Sequence, residues 1–203
     1  MATNEILPPP DQRLAFFRGF LRNPQQVGSV IPSSRFLERR VVQCARVEDA
    51  PVVVELGPGT GGTTRALLRA MEPGSTLLCI EINATFATFI QRIPDPRLRV
   101  FAGSAEHLGD ALAAWKLQQP AAIVSGIPFS TMPVAVARRV LRAAETAMAP
   151  GGRFVAYQVR SRVHTLGTEV FGAAAMEVEL LNIPPMRIYQ WCKANGGRGK
   201  APR

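Results

Sequence analysis

Two acidic residues stand where a nucleotide-containing ligand would need them. The apolar run Val52-Val53-Val54 leads into Glu55-Leu56-Gly57-Pro58-Gly59-Thr60-Gly61-Gly62, and a second run, Leu77-Leu78-Cys79-Ile80, ends in Glu81. A buried strand that closes on glycines can turn tightly into a helix and bring bare backbone against a ligand. A carboxylate at the end of the next strand can accept hydrogen bonds from both hydroxyls of a ribose. A third segment, Ser125-Gly126-Ile127-Pro128-Phe129, follows another apolar run. It falls at the carboxyl edge, where open α/β sheets bind ligands, and Phe129 offers an aromatic face to a cationic group. The same residues allow plainer readings: a dinucleotide-binding turn, a glycine turn with no ligand, and a core aromatic after a proline.

The elements that must position these segments alternate. Hydrophobic periodicity predicts helices over 11–22 and 34–46, and an alternating core from Val52 onward. Strands are expected at 52–56, 77–81, 98–102, 121–124 and 153–159, with helices at 63–71, 84–92, 105–115 and 133–148 between them. Residues 176–181 and 187–192 flank Asn182-Ile183-Pro184-Pro185 and read as an antiparallel hairpin. Strands alternating with helices imply an α/β, Rossmann-like sheet covered on both faces. The expected organisation is an N-terminal amphipathic or lid region over 1–46, a ligand-binding domain over 47–194, and a disordered basic tail over 195–203.

Composition narrows the function classes. With 203 residues and 47% hydrophobic content the chain can bury one substantial core. Three distant cysteines, Cys44, Cys79 and Cys192, suggest neither a disulfide framework nor a zinc site, and read as buried thiols of a reducing compartment. No secretory signal and no membrane-spanning stretch is recognised. The net charge of +9 points to an anionic partner, either nucleic acid or lipid. Both histidines, His107 and His164, read as structural or exposed.

The wording Glu55-Leu56-Gly57-Pro58-Gly59-Thr60-Gly61, with Glu81, resembles class I S-adenosylmethionine-dependent methyltransferases. That resemblance implies a seven-stranded, mostly parallel sheet with a reversed last strand, S-adenosylmethionine as cofactor and no metal. It places Glu55, Gly57, Gly59, Thr60, Gly61, Glu81, Ile82, Ser104, Ala105 and Ser125 around the cofactor. Ser104 stands where many such enzymes place an acid beside adenine, and Glu106 reads equally as a helix cap. Methyl transfer from a sulfonium asks mainly for alignment, so no triad is required.

The Ser125–Phe129 segment resembles the N-P-P-Y/F loop of enzymes that methylate amino groups. There a backbone carbonyl and a polar side chain receive the amine while an aromatic ring packs over it. Ser125 departs from the family's usual asparagine or aspartate. Ser125, Gly126, Ile127 and Phe129, with Tyr157 as a pocket residue, are thus the candidates for the reaction site, and no side chain in the loop is an evident general base.

One face of the first helix carries Leu14, Phe16, Phe17, Phe20 and Leu21, while Arg18 and Arg22 lie toward the other. This is an interfacial pattern, with rings for the headgroup region and arginines for phosphates, and a lid is the alternative. Three further segments, Phe17-Arg18-Gly19-Phe20-Leu21-Arg22-Asn23-Pro24, Val27-Gly28-Ser29-Val30-Ile31-Pro32-Ser33-Ser34 and Asn182-Ile183-Pro184-Pro185, join Ser125–Phe129 in resembling bacterial phospholipid N-methyltransferases. The resemblance implies methylation of phosphatidylethanolamine towards phosphatidylcholine, or of ornithine lipid. It also implies a bacterial cytoplasmic enzyme held peripherally on an anionic inner-membrane surface. That family is similar in turn to rRNA adenine dimethylases, so RNA is the rival acceptor. Against it, no length remains after residue 193 for the extra helical RNA-binding domain. A catalytically idle binding protein with this fold is a second rival.

Overall fold

The computed structural model describes residues 33–195. The candidate membrane-binding residues Leu14, Phe16, Phe17, Arg18, Phe20, Leu21 and Arg22 lie outside the described residues, as does the tail from 196.

Among the described residues seven strands form one sheet in the order β3-β2-β1-β4-β5-β7-β6. They are β1 (Val52–Leu56), β2 (Thr76–Glu81), β3 (Leu98–Ala102), β4 (Ala122–Ser125), β5 (Arg153–Gln158), β6 (Ala175–Glu179) and β7 (Met186–Cys192). β1 to β5 pair in parallel, and β7 runs antiparallel to both β5 and β6. The expected α/β sheet with a reversed last strand is therefore present.

Among the described residues six α-helices cover it: α1 (Arg35–Ala45), α2 (Gly62–Ala70), α3 (Ala84–Gln91), α4 (Leu108–Ala114), α5 (Val134–Ala147) and α6 (Arg162–Phe171). The strands are apolar on both sides because they are buried on both sides. Val52, Val54 and Leu56 of β1 join the core under α4, α5 and α6, while Val53 joins the core under α1, α2 and α3. α1 is built into that second core through Leu37, Val41 and Ala45, at 1% exposure or less. Ser34 caps it, its hydroxyl accepting from Leu37 N–H at 3.2 Å.

Most boundaries fall within a residue or two of those read from periodicity, with two departures. The expected helix over 105–115 is broken. Ser104 starts a 3₁₀ turn over Ala105–His107, and the α-helix begins at Leu108. α6 was not anticipated, because Thr165, Gly167, Thr168 and Val170 are poor helix formers. Packing overrides propensity there: Gly167 lies against Trp191, where a Cβ would meet Cζ2 at 2.5 Å, and Phe171 stacks on Phe154 with centroids 5.1 Å apart. Cys44 and Cys79 are buried free thiols as expected, but Cys192 is exposed.

Candidate active site

β2, β1 and β4 are neighbours, so the loops that leave their carboxyl ends lie side by side. Each loop starts by extending the ladder one step: Gly57 N–H donates to Ile80 O and Gly126 N–H to Leu56 O, both at 2.9 Å. The three segments singled out by residue type are thus brought together by backbone hydrogen bonds.

Gly57, Gly59 and Gly61 have φ of +72°, +55° and +80°, a region closed to most side chains. Gly57 is also pressed against the neighbouring loop, where a Cβ would sit 3.1 Å from Ile127 Cγ1. Thr60 stands in the same turn, and Arg65 braces it, its guanidinium donating to Thr60 O at 3.3 Å and Gly61 O at 3.0 Å. Glu81 ends β2 with its carboxylate at the loop. Oε2 accepts from Gly59 N–H at 3.2 Å and Oε1 from Asn83 N–H at 2.9 Å. Burial raises the Glu81 pKa, and the backbone donors oppose that shift by favouring the carboxylate. Three backbone N–H groups, those of Gly59, Ile82 and Asn83, thus face the carboxylate, which keeps acceptor capacity for a ligand hydroxyl. Ile82, next along, is 77% exposed, an apolar side chain at the surface beside this carboxylate.

Glu55 is placed differently. It is fully buried at the end of β1, and Oε2 accepts from Thr64 Oγ1 at 2.6 Å and from Cys79 Sγ at 3.4 Å. It therefore ties the first turn of α2 to the sheet, while Oε1 meets no donor among the described residues. Desolvation pushes its pKa up to about 7, with the Thr64 and Cys79 hydrogen bonds opposing.

Because the folded pKa is raised, the stability this group contributes is complete below pH 4.5 and lost as pH rises through about 7. The shift corresponds to a loss on the order of 3 kcal/mol. Urea unfolding at pH 5 and pH 8 should show that loss in the native chain, and Glu55→Gln should flatten much of it. An unchanged pH slope in the variant would mean that Glu55 stays ionised across the range.

Ser104 is the cap of the 3₁₀ turn, Oγ accepting from Glu106 N–H at 3.3 Å, and Ala105 is buried beneath it. Glu106 is not a cap: it pairs with Arg139 of α5. His107 pairs with Asp110 at 3.3 Å and His164 stacks on Tyr189, so neither enters the site.

At the β4 loop, Ser125 is buried and its Oγ accepts weakly from Ile127 N–H at 3.4 Å. The Ile127 carbonyl accepts from Phe129 N–H at 2.9 Å and from Gln158 Nε2 at 2.5 Å, which uses both lone pairs. The Pro128 carbonyl accepts from both Thr131 N–H and Thr131 Oγ1 at 3.0 Å. Within Gly126–Pro128, the Gly126 carbonyl is the one to which no described residue donates. It is the acceptor this loop offers to an incoming N–H.

Phe129 is a correction. Its ring is fully buried in the core under α5 and α6 rather than turned to the loop surface. The tight turn closed by its own N–H points the side chain inward.

Tyr157 links the two loops. Its Oη shares a 3.1 Å hydrogen bond with Thr63 of α2, and a Cβ at Gly126 would meet that Oη at 2.7 Å. Burial raises the phenol's pKa above its ordinary value, so Tyr157 stays a neutral donor rather than a base. Thr63, Thr64 and Gln158 were not singled out from sequence. Two threonines directly after a glycine loop, and a glutamine closing an apolar strand, were the available signals.

No metal-ligating cluster occurs among the described residues. When bound, S-adenosylmethionine supplies a methyl group on a sulfonium whose departure leaves a neutral thioether. The residues present fit it: a glycine-rich cradle at Gly57–Gly61, open where Gly57, Gly59 and Gly61 lack a Cβ, and a two-oxygen acid at Glu81.

No family model matches the chain. Ornithine lipid N-methyltransferase of Singulisphaera acidiphila is 28% identical over 86% of this chain and 92% of its own length. Ribosomal RNA small subunit methyltransferase A of Phenylobacterium zucineum is 35% identical, over 46% of this chain and 32% of its own. Among solved structures, the N-methyltransferase NodS of Bradyrhizobium japonicum, in complex with S-adenosyl-L-homocysteine, superposes with a TM-score of 0.62 at 15% identity. The match covers 86% of this chain and 97% of that one. An O-methyltransferase of Bacillus cereus superposes with a TM-score of 0.66 at 13% identity, covering 93% and 94%. With a glycine turn and a strand-end acid of this geometry at the matching sheet edge, the chain carries the fold and the cofactor site of an S-adenosylmethionine-dependent methyltransferase, and in sequence it is similar to an N-methyltransferase.

Proposed function

We propose that the acceptor is the amine of a membrane lipid, either ornithine lipid or phosphatidylethanolamine. The observation that carries this reading is the span of the likeness to the ornithine lipid enzyme, nearly end to end in both chains, against a partial match to the RNA enzymes. The chemistry of the loop agrees with it. An amine brings its own N–H donors to the Gly126 carbonyl and needs no base from the protein once deprotonated, and the neutral Tyr157 supplies none. In this reading the protein works on an anionic, cytoplasm-facing bacterial membrane, its net charge of +9 drawing it to the surface. Among the described residues no helix is long and apolar enough to cross a bilayer, so attachment would be peripheral.

The test is incubation of the purified protein with methyl-labelled S-adenosylmethionine and vesicles of either lipid, beside small ribosomal subunits. Label is expected in lipid. Label in RNA and in neither lipid would overturn the proposal in favour of the RNA reading. Substituting Phe17→Glu with Phe20→Glu is expected to release the protein from anionic vesicles while sparing cofactor binding. Unchanged sedimentation would make that segment a lid.

A further inference from the structure

The β6–β7 connection turns its polar groups inward and its apolar side chains out. Asn182 is buried, accepting from Ser34 N–H at 2.8 Å and donating to Pro184 O at 2.9 Å. Glu179 is buried too, and its carboxylate takes Leu181 N–H at 2.8 Å. Around these satisfied groups Leu180, Leu181 and Ile183 are 71%, 62% and 92% exposed. A braced loop that presents three large aliphatics to water is an exposed apolar patch that calls for an occupant.

Its position in the sheet says what that occupant is. β7 runs antiparallel to β5 with Arg187 opposite Gln158, so the β6–β7 turn lies at the carboxyl end of β5. That is the edge holding the Gly126 carbonyl and the Gln158 amide. The exposed cations there are Arg160, Arg162 and Arg187, while the hairpin acids Glu177 and Glu179 face Arg40 at 2.9 and 3.8 Å. The patch therefore carries aliphatics and unbalanced positive charge together, which matches an anionic lipid surface and not a neutral protein groove.

We infer that the Leu180–Ile183 tip enters the headgroup region of an anionic membrane and sets the active-site edge of the sheet against the lipid. The inference rests on the lipid reading above. It adds a second, rigid point of attachment that fixes orientation, which a single anchoring segment leaves free.

The experiment places a fluorescent NBD label at Ile183→Cys in a Cys192→Ser background, where the remaining thiols, Cys44 and Cys79, are buried. A control label at Gln118→Cys reports the exposed opposite edge, before β4. With phosphatidylglycerol/phosphatidylcholine vesicles, the label at 183 is expected to shift to the blue and to be quenched by brominated lipid, while that at 118 stays aqueous. Leu181→Ser with Ile183→Ser should weaken vesicle partition about tenfold or more with S-adenosylhomocysteine affinity unchanged. Sedimentation with vesicles while the label at 183 remains aqueous overturns this inference and leaves the lipid reading standing. Absence of vesicle binding together with methylated RNA overturns both. A blue shift that depends on protein concentration without vesicles assigns the patch to a second copy of the chain and also overturns it.

Discussion

Glu81→Ala is expected to weaken binding of S-adenosylhomocysteine by about a hundredfold or more, measured by calorimetry. Hydrogen bonds to a charged group contribute roughly 1.5–3 kcal/mol each, and in the proposed reading this carboxylate accepts from the cofactor ribose. The variant also strips Gly59 N–H and Asn83 N–H of their acceptors, so the glycine turn loses its tie to β2. Glu81→Gln keeps one acceptor oxygen and the side-chain length, and should lie between, near tenfold. Thermal stability should fall little in either, since the residue sits at the end of its strand rather than among the core aliphatics. Native affinity in Glu81→Ala would mean that the ribose is held elsewhere and that this acid only anchors the turn.

Gly126→Ala should lower kcat by about a hundredfold, the order expected when a reacting group is displaced by 1 Å. The added methyl would stand 2.7 Å from Tyr157 Oη and 3.0 Å from Gly57 O. The first neighbour is held by Thr63 and the second is backbone, so neither yields cheaply. The loop must then move, taking with it the Gly126 carbonyl that the proposed function assigns to the amine. Tyr157→Phe removes the nearer clash, and the double variant should be faster than the product of the two single effects allows. Single-turnover rates at saturating cofactor read this directly. A kcat within twofold of the native value in Gly126→Ala would show that the loop carbonyl does not set the acceptor's position.

The sheet was largely legible because buried parallel strands are written as short apolar runs closed by glycine, acid or proline. β3 was found over Leu98–Ala102 and β7 within a residue of its start. The glycine turn and Glu81 were legible for a related reason: their roles need a backbone conformation or a terminal carboxylate, and residue type alone reports both. Thr63 with Tyr157 and Gln158 with Ile127 were not, because the partners lie 94 and 31 residues apart and a chain has no local mark for such pairs. Phe129 shows the limit from the other side. Its type suited a cation, but the direction of an aromatic after a proline turn is decided by the core that receives it. α6 was hidden by Gly167, whose missing side chain makes room for Trp191.

The pairing of Leu56 with Ser125 across β1 and β4 makes the sheet a ruler. The Gly57 and Gly126 loops leave adjacent strand ends, about 4.8 Å apart in any such ladder, so the span between the two loops is set by main-chain hydrogen bonds. Side chains farther out can then be exchanged to admit a different amine without recalibrating that span. An edge that recognises the acceptor can diverge while the gap stays constant, as enzymes named for a lipid and for a ribosomal RNA, both similar to this chain, would require.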